Sequence, residues 1–214
     1  MTFSELKRKA YNEGMTLVPL YILVEDWGGR LFGKERLYRK KDLIEGPIRV
    51  LSSDEIRYNF AFPNPLIEPA TVKYSPTILK RQILTSRCII FPGRKTFNGV
   101  AWYAQTDRKI TVPPFHSFVV DPKGVERSVR LMLWFNRRDV IDAINTEMPK
   151  NGMTISFMRE LPVPVNETPN DVVEEFVDLN NKRMQLLSGV EMTSSNIRKL
   201  IERYDRAGEG NAPA

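Results

Sequence analysis

Adjacent cations recur in the middle of the chain. Pro92-Gly93-Arg94-Lys95 and Thr106-Asp107-Arg108-Lys109 have the composition of exposed turns, and Lys80-Arg81 and Arg137-Arg138 add two further pairs. Lysine and arginine neutralise phosphates and gain free energy from the counterions they release. Tyr74, Phe91, Phe97, Trp102, Tyr103, Phe115, Phe118, Trp134 and Phe135 are interleaved with these cations. Rings exposed beside a basic groove can stack on unpaired bases. The residue types therefore point to a nucleic acid, DNA or RNA, contacted by Lys80, Arg81, Arg94, Lys95, Trp102, Arg108, Lys109, Arg137 and Arg138. The plainer alternative is that the rings are core and the cations a solvated face.

Charge along the chain is uneven. Residues 73–138 hold thirteen Lys/Arg against three Asp/Glu, a local charge of +10, whereas residues 151–214 hold seven against ten, a charge of −3. The whole chain of 214 residues carries +6. A two-ended distribution also suits self-association, the basic face of one copy meeting the acidic face of another. A structural or assembly subunit of a virus or mobile element, docking through C-terminal helices, is accordingly the second reading.

Signals for enzymatic chemistry are sparse. The chain has no Gly-x-Gly-x-x-Gly, no phosphate-cradling Gly-Lys-Ser/Thr loop, no Gly-x-Ser-x-Gly elbow and no His-Glu-x-x-His pair. His116 could act as a general base on an anionic substrate, the third reading, but no nucleophile or orienting partner accompanies it in the sequence. Asp139 and Asp142, three apart, are explained by stabilisation of a helix start. Cys88 lies in the apolar run Ser86–Phe91 and reads as core, and one Cys with one His cannot make the quartet of a structural zinc site. No catalytic residue, metal ligand or cofactor is assigned.

Ala101-Trp102-Tyr103, Asp107, Ile110, Pro113-Pro114 and Phe118 resemble the lead-in to the zinc helix of antirestriction-type metallopeptidases. Where that resemblance implies metal-binding histidines, the chain has Arg130-Leu131-Met132-Leu133-Trp134, so no site is carried over.

These residues must be positioned by an α+β fold: a mainly antiparallel sheet over about residues 15–160, a short N-terminal helix and a C-terminal helical hairpin. Phe3–Glu13 has helical spacing and is ended by Gly14. Thr16–Glu25, Leu31–Arg39, Arg57–Phe62 and Ser86–Phe91 read as strands. Ser117–Val120 and Val125–Phe135, flanking Asp121-Pro122-Lys123-Gly124, read as a hairpin whose second strand alternates. Asn136 is expected to cap a helix running to about Met148, and Met153–Arg159 to be the last strand. Residues 1–161 then form the main domain and 162–167 a proline-stiffened connector. Residues 168–206 form a helix pair broken at Gly189, and 207–214 a flexible tail. The apolar runs fall short of a membrane span, and the N-terminus lacks the apolar core of a signal peptide, so an intracellular location is expected.

Overall fold

The computed structural model describes residues 1–24, 26–29, 48–52, 55–57, 59–61, 70–72, 84, 88–91, 96–103, 110–111, 117–120, 125–165 and 170–209. Helix α1 (Phe3–Asn12) starts with a reciprocal capping box. Thr2 Oγ1 accepts from the Glu5 N–H at 3.2 Å, and Glu5 Oε2 accepts from the Thr2 N–H at 2.7 Å. Strand β1 (Leu17–Pro19) runs into a 3-10 turn, Leu20–Ile22.

Short strands follow: β2 (Asp26–Gly29), β3 (Ile48–Val50), β4 (Ile56–Arg57), β5 (Asn59–Ala61), β6 (Ala70–Val72), β7 (Cys88–Phe91), β8 (Ala101–Tyr103), β9 (Ile110–Thr111) and β10 (Ser117–Val120). Helices α2 (Val125–Phe135), α3 (Arg138–Glu147) and α4 (Ile155–Arg159), strand β11 (Pro162–Pro164) and helix α5 (Asn170–Glu209) complete the described chain.

The larger sheet has the order β2-β10-β7-β8-β5-β4, antiparallel except where β5 runs beside β8. A second sheet, β6-β3-β9, pairs β3 antiparallel to β6 and parallel to β9. The mixed α+β class read from the sequence is the observed one. No helix among the described residues is long and apolar enough to cross a membrane.

Alternation along β7 and β8 divides the core in two. Ile89, Phe91 and Trp102 face α1, α2, α3 and the start of α5, and join the larger apolar cluster. Cys88, Ile90, Ala101 and Tyr103 face the other way and pack with Leu51, Leu84 and Ile110. Cys88 is completely buried, as its apolar neighbours imply.

Several sequence expectations are corrected. Val125–Phe135 is a helix and not the second strand of a hairpin. Its apolar residues satisfy both periods, and packing decides: Ser128, Val129, Leu131, Met132, Trp134 and Phe135 are all buried between the sheet and its neighbouring helices. Met153–Arg159 is likewise helical over Ile155–Arg159, because Thr154 caps it, its Oγ1 accepting from the Phe157 N–H at 3.2 Å.

Residues 162–164 of the expected connector are a strand, and 166–167 lie outside the described residues. β11 pairs with β1, flanked by Leu20 N–H to Leu161 O and Val165 N–H to Thr16 O, both 2.9 Å. Proline is tolerated there because Pro19, Pro162 and Pro164 all sit at the pairs that do not exchange hydrogen bonds.

The C-terminal hairpin is instead one helix of 40 residues that passes straight through Gly189, despite a cost of roughly 1 kcal/mol relative to alanine. It also takes in residues 207–209 of the expected tail; the remainder of that tail, the expected strand Leu31–Arg39 and the turn Asp121–Gly124 lie outside the described residues.

Asn136 does not cap α3; Arg137 holds the cap position. Its side chain instead reaches the segment entering β8, accepting from the Val100 N–H at 2.8 Å and donating to the Val100 carbonyl at 3.0 Å. Asn145 does the same to Phe97, at 2.8 Å and 2.7 Å, and also donates to the Ile141 carbonyl at 3.0 Å. Between the two clamped residues, Gly99 has φ +98°, and a Cβ there would collide with Asn136 Oδ1.

Gly99→Ala is expected to cost about 1–3 kcal/mol from backbone strain, with the collision added. Gly14, with φ +76° and open space where its Cβ would stand, supplies the comparison. Urea midpoints should fall further for Gly99→Ala than for Gly14→Ala.

Candidate nucleic-acid interface

Of the nine residues read as candidate contacts, three fall among the described ones. Trp102 is 2% exposed at the centre of the sheet. Its indole N–H donates to Ser128 Oγ at 3.0 Å, and its ring meets Phe176 edge-on at 5.6 Å between centroids. A ring so enclosed has no face to offer a base, so Trp102 joins α2 and α5 to β8 and is corrected from contact to core. Phe91, Phe97, Tyr103, Trp134 and Phe135 are buried as well. Trp134 donates to the Pro162 carbonyl at 2.8 Å, tying α2 to β11.

Arg137 is committed within the fold. Its Nη2 donates to Asp139 Oδ2 at 2.8 Å and to Glu13 Oε2 at 3.1 Å, its Nε donates to Asp139 Oδ1 at 3.1 Å, and its guanidinium lies 5.0 Å from the Trp134 ring centroid. Lys9 Nζ adds a bond to Asp139 Oδ2 at 2.6 Å. Two cations and two carboxylates thus join α1 to the start of α3, where the Asp139 carboxylate also accepts from the Val140 N–H at 3.0 Å.

Partial burial pushes the Asp139 carboxyl up, but the hydrogen bonds and charges of Arg137 and Lys9 outweigh it and hold the group well below the usual carboxylate range. Arg137 is raised in turn, by its bond to Asp139 first and by Glu13. Arg138 differs from its neighbour: its side chain is 92% exposed, with Asp142 at 3.8 Å across one helical turn. Asp139 and Asp142 are therefore partners of arginines.

Lys80, Arg81, Arg94, Lys95, Arg108 and Lys109 lie outside the described residues, as does His116. Their nearest described neighbours in sequence are the anchors on either side. Positions 92–95 follow Phe91, which lies at the end of the β7–β8 pair where β8 begins; positions 104–109 follow Tyr103, which lies opposite Cys88 at the other end. Leu84 donates its N–H to the Ile110 carbonyl at 2.8 Å. The pairs 80–81 and 108–109 each stand within four residues upstream of one end of that bond. Both anchors belong to the apolar cluster across the sheet from the helices, whereas Arg137 and Arg138 stand on the helical side.

The described part of the second sheet holds one more ion pair, between Arg49 and the buried Glu55, whose Oε2 also accepts from the Ser52 N–H at 2.7 Å. No three His, Cys, Asp or Glu side chains gather as a metal-ligand set among the described residues.

No family model matches the chain, and no curated protein matches it. Solved structures with some backbone similarity include a HsdS subunit from Thermoanaerobacter tengcongensis, at 9% identity and a TM-score of 0.43 over 91% of this chain and 43% of that one. A type I restriction–modification system structure concerned with complex assembly and conformational transition gives 9% and 0.47 over 91% and 44%. A type I restriction–modification S subunit from M. genitalium gives 13% and 0.42 over 89% and 47%. The chain spans less than half the length of each. Superposition this loose fixes neither a shared fold nor a ligand.

The ionic junction makes its own prediction. Because the folded-state carboxyl of Asp139 is depressed, its contribution is present above the ordinary aspartate value near 3.9 and is lost as pH falls below it. Asp139→Asn should cost about 1–3 kcal/mol at neutral pH by leaving the donors of Arg137 and Lys9 without their anion. Urea unfolding at pH 7 and at pH 3 should show the gap between variant and wild type narrowing at the lower pH.

Proposed function

We propose that the protein binds nucleic acid, through phosphate contacts made by Lys80, Arg81, Arg108 and Lys109. The carrying observation is the surplus of +10 over residues 73–138. The hydrogen bond between Leu84 and Ile110 supports this reading, because it joins the described residues that follow the two cation pairs in sequence. Arg94-Lys95 and Arg138 form secondary contacts in this reading.

Burial of the six described aromatic rings from the basic region leaves no described ring for stacking on bases. Binding in this reading is driven by charge along the backbone, which favours duplex over single strand, since a duplex presents phosphates at higher density. The loose backbone similarity to S subunits of type I restriction–modification systems is too weak to bear on this. Chemistry on the bound nucleic acid has no support among the described side chains.

Fluorescence anisotropy with labelled duplex DNA, single-stranded DNA and RNA tests the proposal across a salt series. Binding to duplex should weaken linearly on a log–log plot, with a slope of about −0.9 per phosphate contacted. Replacing Lys80, Arg81, Arg108 and Lys109 together by alanine should flatten that slope by roughly 3 to 4 units. Arg137→Ala, which removes a cation already held by Glu13 and Asp139, should leave the slope unchanged. Absence of binding to all three probes at low salt would overturn the reading.

A further inference from the structure

Helix α5 gives the core only its first turns: Val173, Phe176 and Val177 are its sole described side chains packed into either apolar cluster. The helix continues for 32 residues beyond Val177, about 48 Å at 1.5 Å per residue. Helices in proteins draw most of their stability from packing of an apolar face, and beyond Val177 this one half-buries Met184 and Leu187 on one side while keeping other large apolar groups on its surface. Leu179 is 57% exposed, Leu186 73% and Val190 42%.

Those residues follow a strict heptad. Leu179, Arg183, Leu186, Val190, Thr193 and Ile197 alternate at spacings of four and three, the seam of a left-handed coiled coil, with Arg183 and Thr193 its two polar members. We infer that this seam is covered by a second copy of the chain, the two α5 helices lying antiparallel about a two-fold axis at Ser188.

Three features of the chain favour this occupant and orientation. The first is self-complementarity under reversal. Rotation about Ser188 sets Leu179 against Ile197 of the second copy, Leu186 against Val190, and Arg183 against Thr193, so apolar meets apolar and polar meets polar. Parallel, in-register pairing would set Arg183 against Arg183 inside the seam, a like-charge layer.

Charge is the second feature. Residues 171–178 carry Asp171, Glu174, Glu175 and Asp178 with no cation, and residues 198–206 carry Arg198, Lys199, Arg203 and Arg206 against Glu202 and Asp205. The same rotation lays the acidic stretch of one copy along the basic stretch of the other.

Gly189 is the third. It lies in mid-helix, and no described residue comes within 4 Å of where its Cβ would stand, so no contact among the described residues explains it. In the antiparallel pair it flanks the axis facing its own counterpart, where a missing side chain lets the helices approach.

Sedimentation velocity on the full chain across a wide concentration range should show a monomer–dimer equilibrium. Leu186→Glu and, separately, Leu179→Glu should abolish the dimer with an unchanged circular dichroism spectrum, both side chains being exposed in the single chain. Orientation is read by cross-linking with a short bis-maleimide, for which the fully buried Cys88 is a silent background. Gly189→Cys should cross-link, and Leu179→Cys should not, since antiparallel pairing separates the two copies of residue 179 by about 27 Å. A strict monomer at all concentrations would rule out the second copy as occupant. Cross-linking of Leu179→Cys without that of Gly189→Cys would rule out the antiparallel arrangement.

Discussion

The pairing of two asparagine amides with a stretch of peptide backbone holds this structure together at its centre. The segment Phe97–Val100 leads into β8 from outside any described strand, and the backbone N–H and C=O groups of its buried residues need partners. Asn136 and Asn145 supply the missing partner, each offering a carbonyl and an amino group to one residue's N–H and C=O. Both clamped residues, Phe97 and Val100, are buried, so the polar bonds orient a segment that apolar contacts then stabilise. Strand β8 follows at once, and its alternating side chains feed both cores. Gly99 is the local condition for this arrangement, since its backbone conformation and its closeness to Asn136 both exclude a side chain.

Polar contacts elsewhere on the helical side follow the same logic. The indoles of Trp102 and Trp134 orient α2 against β8 and β11 through one hydrogen bond each, while their rings provide the buried area. At the surface of the same layer, Lys9, Glu13, Arg137 and Asp139 cancel one another and hold α1 on α3. Cations spent in this way are unavailable to a ligand. The proposed phosphate contacts therefore rest on the cation pairs that precede Leu84 and Ile110 in sequence, two residues joined by a hydrogen bond.

Much of this was legible in the residues. The α+β class, the strands at Cys88–Phe91 and Ser117–Val120, the N-terminal helix with its end near Gly14 and the burial of Cys88 follow from local pattern alone. Errors arose where a pattern admitted two periods or a residue had two uses. Val125–Phe135 alternates like a strand, yet enclosure on several sides makes every position from Val129 to Phe135 apolar except Arg130 and removes the period as a guide. Thr154 was a readable cap that outweighs the alternation after it. The prolines of β11 suggested a connector, but at pairs without ladder hydrogen bonds they obstruct nothing.

Composition and order along the chain determined the charge asymmetry, the apolar heptads of α5 and the lack of a catalytic motif, because each is a property of residue type and spacing. Tertiary structure alone decided the use of each group. Asn136 could cap a helix or clamp a strand, Trp102 could stack on a base or fill a core, and Arg137 could meet a phosphate or a carboxylate. Hydrogen-bonding capacity and charge are local properties, whereas the partner that satisfies them is brought from far along the chain, as Glu13 is to Arg137 across 124 positions.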